Sequence, residues 1–448
     1  MEVLTFRTPG LGDQTYLLLH GDQGILVDPQ RDVDRFLGAA AERDVAVRFV
    51  LDTHLHNDYV SGAEQAAKLT GAELVLPAAA APAYPHTPAF HLEDIPGGQF
   101  TVRPIHTPGH TPEHTSYVVL VDNEPVAIFS GGSLLVSSAG RPDLLGRERA
   151  RTMATLQHQS LHRLAQLPAE LELFPTHGQG SFCTASGAGR YTSTIAQERA
   201  ENPLLAIETV EQFVDQLLGS AMPIPAFYRF MGPTNTLGVP AMPKLEVPTL
   251  TVEDLADAPD GTYVVDVRPR AAQAGGILAG SLAIELAIDF GSWTAWLVPR
   301  QAPIVLVAEP EQDITEPITQ LAQIGVDTVR GVVRGIPAAC DTVAFELAGI
   351  DRFRKALDEP AAQVLDVRMP SEWADGVLDG SIQRFLPDLL TDGIPAELDR
   401  ERPVLIACRT GRRATVAAGI LANQDYRTIV LDDAGVPDLV SAEATVGA

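Results

Sequence analysis

Cysteine is almost missing from this chain of 448 residues, which has only Cys183, Cys340 and Cys408. Three thiols so far apart, and odd in number, exclude a disulfide framework. Lysine is as scarce, with Lys68, Lys244 and Lys355 alone, and acid exceeds base by 26 charges. So acidic a chain is unsuited to phosphate backbones, which excludes nucleic acid as a partner class. No stretch approaches the roughly 18 consecutive apolar residues of a membrane helix. Residues 1–14 lack a basic start followed by a long apolar run, so no signal peptide is visible and a cytoplasmic protein is expected. Histidine is missing from the 271 residues that follow His177, although eleven lie at or before it. Histidine scattered for surface or packing reasons would not stop at one point.

What is present is an ordinary globular composition, 45% hydrophobic and 20% charged, in a chain long enough for two to four domains. The most telling stretch is Thr53-His54-Leu55-His56-Asn57-Asp58-Tyr59, directly after the apolar run Val47 to Leu51. That run reads as a buried strand. His54, His56 and Asp58 alternate, so the chain can turn all three toward one point beyond the strand's end. Imidazoles and a carboxylate converging at about 2 Å from a shared centre suit zinc or iron.

The first part of the chain alternates strands and helices. Ile25 to Asp28, Tyr117 to Leu120 and Val126 to Phe129 read as strands, and Ser61 to Thr70 and Ala150 to Leu167 as helices. Between Met222 and Pro248 six prolines interrupt the chain, which predicts a linker or lid without helix. Beyond it lies an internal repeat with an offset of 100 residues. Val265-Asp266-Val267-Arg268 matches Leu365-Asp366-Val367-Arg368, Gly280-Ser281 matches Gly380-Ser381, and Pro303 to Val307 matches Pro403 to Ala407. The expected divisions are therefore residues 1–245, 246–345 and 346–448, the last two homologous α/β domains of normal size.

The two copies differ directly after the matched strand. The second has Cys408-Arg409-Thr410-Gly411-Arg412-Arg413 before a helical run, Ala414 to Asn423, where the first has Ala308-Glu309-Pro310-Glu311. A cysteine on a strand-to-helix turn faces backbone N–H groups and the positive end of a helix dipole, and the arginines add to both. Such a thiol is a nucleophile. Phosphatase-like loops place an arginine six positions after the cysteine, wide enough for phosphate, but here that position is Ala414.

The Asp-Val-Arg strand, the Gly-Ser pair and this short loop resemble the rhodanese family of sulfurtransferases, twice over. The resemblance implies that Cys408 carries a persulfide sulfur, with Arg409, Gly411, Arg412 and Arg413 binding substrate. It also implies an inactive first copy, since Ala308 stands at the cysteine position. Residues 1 to about 245 resemble the metallo-β-lactamase superfamily, near glyoxalase II and the persulfide dioxygenases. Asp28, the run from Thr53 to Tyr59, His110 in Thr107-Pro108-Gly109-His110 and His177 in Pro175-Thr176-His177-Gly178 carry that likeness. The implied fold is α/β and α+β, multidomain: an αββα sandwich followed by two rhodanese-like α/β domains.

Two positions depart from the pattern. Tyr59 stands where the family run has a histidine, and Gly132 where a turn aspartate binds or bridges metal. Their loss disfavours a two-metal hydrolase. One Fe(II) per chain is expected on His54 and His110 with His56 or Asp58, zinc or no metal being the alternatives. His177 and Tyr59 are placed behind the ligands or at a second site. His106 and His114 flank His110 and either orient it, contact substrate or sit in solvated loop. His20, His86, His91, His158 and His162 are expected at the surface, Cys183 to pack, with a place facing the pocket as the alternative, Cys340 to be inert in a connector, and Arg141 to pair with Asp143. The arrangement resembles bacterial fusions that oxidise a low-molecular-weight persulfide to sulfite and pass sulfane sulfur at a cysteine. The alternatives are sulfur transfer alone beside a metal-poor binding module, and thioester hydrolysis. The partners implied are a small-molecule persulfide, thiosulfate or sulfite and a thiol carrier, with no nucleic acid and no membrane, a homodimer being left open.

Overall fold

The computed structural model describes residues 1–178, 180–184, 190–219, 222–360 and 362–440. The final eight residues of the third expected domain thus lie outside the described residues. The chain divides into two compact units, Met1–Pro243 with Ala322–Gly325, and Lys244–Leu321 with Val326–Ala448.

In the first unit two six-stranded sheets lie face to face. The strands of one run in spatial order Glu2–Thr8, Asp13–His20, Gln23–Val27, Ala46–Leu51, Glu73–Pro77 and Thr87–Ala89. Those of the other run Ser193–Thr194, Glu172–Pro175, Glu124–Gly131, Thr115–Val121, Phe100–His106 and Ile95–Gly97. Side chains alternate faces along a strand. Tyr16 and Leu18 therefore enter the inter-sheet core with Phe49, Tyr117 and Phe129. Leu17 and Leu19 face outward onto Phe36, Ala63 and Ala66 of the helices Asp34–Ala41 and Ala63–Thr70. On the far side Ile128 and Leu173 pack against Ala154 and Leu161 of helix Arg147–Leu164 and Phe213 of helix Val210–Gly219. The result is four layers, helix, sheet, sheet and helix, with the core between the sheets. Parallel pairing of Gln23–Val27, Ala46–Leu51 and Glu73–Pro77 brings their C-terminal ends to one edge, where the histidine loops start.

The proline-rich segment departs from expectation, because Tyr228–Leu237 is a helix with Pro233 inside it. Proline removes one backbone donor, but tertiary anchors offset that loss. Tyr228, Met231 and Asn235 are buried, Tyr84 donates its hydroxyl to the Asn235 carbonyl at 3.0 Å, and Ala83 N–H bonds Thr236 O at 2.7 Å.

The second unit holds two five-stranded parallel sheets of the same order. One runs Thr249–Leu250, Val329–Arg334, Ile304–Ala308, Tyr263–Asp266, Leu282–Ala283; the other Glu346–Ala348, Thr428–Leu431, Val404–Ala407, Gln363–Asp366, Ile382–Gln383. The repeat read from sequence is present in the pairing itself. Val264 faces Val305 and Asp266 faces Val307, while Val364 faces Leu405 and Asp366 faces Ala407. The strand-end clasp is duplicated too: Arg268 Nη2 bonds Asp266 at 2.7 Å and Gly276 O at 2.6 Å, and Arg368 Nη2 bonds Asp366 and Gly376 O at 2.7 Å each. Among the described residues no helix is long and apolar enough to cross a membrane.

Candidate metal centre and thiol loop

The loop after strand Ala46–Leu51 is fixed by Asp28, whose left-handed backbone (φ 51°) turns its carboxylate back under the strand ends. Its Oδ1 accepts the Thr53 N–H at 2.7 Å and its Oδ2 accepts the Thr53 hydroxyl at 2.8 Å and that of Thr176. One buried carboxylate thus ties the His54 loop to the strand end that carries His177. Burial alone would raise its pKa, but His56 and these donors hold it below the usual carboxylate value.

The proton positions of three histidines follow from their partners. Thr53 has a single hydroxyl hydrogen and gives it to Asp28, so at 2.8 Å from His54 Nδ1 it accepts, and His54 carries its proton on Nδ1. His110 Nδ1 lies 3.0 Å from the Arg141 carbonyl, which only accepts. His177 Nδ1 lies 2.8 Å from Asp13 and 3.3 Å from Asp58. Burial pushes both of these acids up to about 7, and their carboxyl groups flank the same ring nitrogen, where they can take its N–H. Every Nδ1 donates, and every Nε2 is left with its lone pair.

Those lone pairs face one another. His54 Nε2 and His177 Nε2 are 3.3 Å apart, and His110 Nε2 is buried without a partner. One ligand atom from each of the three residues falls within 4.8 Å of the others. Burial, and then the neighbouring histidines, holds His54 and His110 well below the ordinary imidazole value, so they stay neutral. Three neutral lone pairs without a proton between them repel unless a cation lies there, and tautomers locked by outer oxygen acceptors are the usual support of metal-ligating histidines. The donor set fits a metal ion.

A second group consists of His56, Asp58 and His177, and a third of Asp28, Asp52 and His56. His56 Nε2 sits 2.9 Å from the Tyr59 hydroxyl and 3.3 Å from Asp28 Oδ1, while its Nδ1 is buried without a partner. Burial opposes its charge, but Asp28, Asp52 and Asp58 outweigh burial and hold it up to about 9. Of the predicted ligands, His54 and His110 come together with His177, whereas His56 and Asp58 form a second group with His177. His177 therefore belongs to both sets and not only behind them. Tyr59 is stacked on His56 and donates to the Asp28 carbonyl.

Gly132 is at the site. A Cβ there would lie 2.2 Å from His110 Cδ2, so the imidazole ring takes the room a side chain would need. Its N–H donates to His114 Nε2 at 2.9 Å, and His114 in turn faces the Thr107 hydroxyl at 2.8 Å. His114 is thus buried and structural, its pKa pushed down to about 3 by burial first, whereas His106 is only half-buried. Arg141 and Asp143 form the expected pair at 2.7 Å. Cys183 does more than pack: its Sγ is 3.3 Å from Asp58 Oδ2 and 3.7 Å from the Tyr228 hydroxyl, in the wall of the site. Asp13, Asp52 and Asn235 were not visible in sequence. Asn235 donates to the carbonyls of His56 and Tyr59 at 2.9 Å each and accepts Ser61 N–H at 2.9 Å, which holds the loop from a distance of 174 residues or more.

In the second unit, Cys408 follows strand Val404–Ala407 and precedes helix Arg412–Ala422. Gly411 adopts φ 88°, which favours glycine, and its N–H points at Cys408 Sγ from 3.2 Å. Arg413 is bidentate on Glu372, and Arg412 lies 3.0 Å from Asp289 and 3.6 Å from Glu285 of the first repeat. Arg409 is exposed. In the first repeat the buried Ala308 occupies the same strand end.

Residues 9–177 match the metallo-beta-lactamase superfamily, a span that ends on His177, and residues 350–441 match the rhodanese-like domain. The chain is a metallo-β-lactamase fold followed by a rhodanese-like domain. A hydroxyacylglutathione hydrolase of Methylobacillus flagellatus is 30% identical over 164 residues, 36% of this chain and 60% of that protein. The crystal structure of a metallo-beta-lactamase from Staphylococcus aureus covers 75% of this chain and 99% of its own, with TM-score 0.68 and 24% identity, a likeness of fold. ETHE1 from Myxococcus xanthus is 28% identical over 53% of this chain and 98% of its own, with TM-score 0.46. The metallo-β-lactamase domain thus carries a histidine and aspartate cluster able to bind a metal, and the rhodanese-like domain carries Cys408.

Proposed function

We propose that this chain is an enzyme of sulfur metabolism that oxidises a low-molecular-weight persulfide to sulfite at one iron ion and moves sulfane sulfur on Cys408. The overall oxidation converts persulfide, dioxygen and water to thiol and sulfurous acid. At Cys408 the thiolate takes the sulfane sulfur of a low-molecular-weight persulfide or of thiosulfate, releasing the thiol or sulfite, and the resulting cysteine persulfide passes that sulfur to sulfite or to an acceptor thiol. Iron, when bound, supplies the activation of dioxygen. The chain's own part is to hold it with His54, His110 and His177 and to fix their tautomers through Thr53, Arg141 O and Asp13. The first copy, with Ala308, serves as a rhodanese-like partner without a nucleophile. Joining two such centres in one chain raises the effective concentration of a product released by one near the other.

The observation that carries this reading is the convergence of three Nε2 lone pairs on one point, with Gly132 offering no bridging carboxylate to a second ion. A second reading, thioester hydrolysis at two metals, draws support from the group His56, Asp58 and His177. The test is oxygen uptake with glutathione persulfide on protein whose metal content has been measured. The expectation is one iron per chain and sulfite formed one-for-one with the oxygen consumed, both lost in His177→Ala. Two ions per chain with thioester cleavage and no oxygen uptake would move the assignment to the second reading.

A further inference from the structure

The spacing of Arg409, Arg412 and Arg413 predicts a strongly basic mouth around Cys408, suited to small dianions. The structure contains the opposite. Arg413 is paired with Glu372, at 2.8 Å for its Nη2, and Arg412 with Asp289 at 3.0 Å and Glu285 at 3.6 Å. A further arginine from the first repeat, Arg270, reaches the loop carbonyl of Thr410 at 3.3 Å. It is held by both oxygens of Glu285 at 3.0 Å, by Asp432, and has Asp433 at 3.9 Å. Three arginines (270, 412, 413) thus meet five carboxylates (285, 289, 372, 432, 433), and with the exposed Arg409 the balance is one negative charge. Asp289 is held in place, since Trp293 Nε1 donates to its second oxygen at 3.1 Å. The cleft beside the loop is lined by Ile284, Glu285, Asp289, Phe290 and Trp293 from the first repeat, facing Arg412.

We propose that Glu285 and Asp289, in the copy without a cysteine, are specificity-determining residues for the thiol of the other copy. They occupy Arg412 and set the mouth of the Cys408 loop against small dianions, in favour of singly charged sulfane carriers. This rests on the reading of Cys408 as the sulfur-carrying thiol and names what it selects. A dianion such as thiosulfate must draw Arg412 from Asp289 and approach two carboxylates, whereas a singly charged donor meets half that repulsion. The first copy then acts by charge, and it needs no thiol for that.

The test compares alkylation of Cys408 by iodoacetate, an anion, with that by neutral iodoacetamide in the full chain, following the Cys408 peptide by mass spectrometry. In the double variant Glu285→Gln, Asp289→Asn the ratio of the two rates should rise by roughly three- to tenfold, as expected for two partly exposed charges. The KM for thiosulfate should fall by a similar factor. Wild-type protein supplies an arm that needs no variant: raising ionic strength screens these charges and should move the ratio the same way. A ratio unmoved by both the variant and salt would overturn the proposal, as would one that falls. A ratio that rises in a protein unable to transfer sulfur would support the charge effect and remove the sulfur-carrying reading instead.

Discussion

In the histidine cluster the polar atoms that matter are those left without partners, whereas around Cys408 three of the arginines are already held by carboxylates. His110 Nε2, His56 Nδ1 and Asp58 Oδ1 are buried and unbonded among the described residues. Arg412, Arg413 and Arg270 each have a carboxylate within 3.0 Å. The difference separates two ways of preparing a reactive centre. The first builds a cavity whose electrostatics are incomplete until a cation enters. The second completes its electrostatics in advance and leaves one thiol, met by a single N–H at 3.2 Å, as the reactive element. Removing a residue should therefore do different things at the two places.

The largest effect is expected from Cys408→Ser, which should abolish thiosulfate:cyanide sulfur transfer and leave iron content unchanged. Transfer that survives at a substantial fraction would place the chemistry on another residue. At the other centre, Gly132→Asp tests whether the missing carboxylate can be restored. The Cβ contact of 2.2 Å with His110 says that it cannot without moving that ring. Iron retained after dialysis should fall by roughly tenfold, as for loss of ligand support generally. A rise in iron content would mean that the His110 ring yields and the carboxylate binds. The smallest effect concerns acid. Burial would raise Glu372, but Arg413 outweighs that and holds its carboxyl below the ordinary 4.5. A carboxyl lowered on folding stabilises fully above its unfolded pKa and loses that contribution as pH falls through the folded one. Wild type should therefore lose more thermal stability than Glu372→Gln between pH 6 and pH 3, by about a few degrees in Tm. Equal losses would show that the pair is electrostatically idle.

Much of this arrangement was legible because local sequence encodes it. The offset of 100 residues survives as identical strand pairing, since matched residues such as Val265, Asp266, Leu365 and Asp366 sit on strands whose register their neighbours dictate. The alternation of His54, His56 and Asp58 pointed to this loop, yet which atoms converge depended on partners far away in sequence. His54 owes its tautomer to Asp28 through Thr53, and His177 owes its own to Asp13, 164 residues earlier. No motif encodes Asn235, because its role lies in backbone carbonyls that carry no residue signature. The helix Tyr228–Leu237 was hidden by its proline, whose local preference is overridden by buried Tyr228, Met231 and Asn235. Three loop arginines suggested a basic mouth, and the acids that neutralise Arg412 belong to the other repeat, where no local reading would look.

The three facing imidazoles also bear on how the first unit holds together. They come from loops at the ends of different strands, and the two closest nitrogens are separated by 123 residues of chain. A cation shared among them would act as a staple across the open edge of the two sheets, closing long loops that the unfolded chain leaves free. Any ion that binds the folded form alone adds to its stability with concentration. Metal supply would then govern the lifetime of the fold as well as its chemistry, and a chain made in metal-poor conditions would open first at that edge.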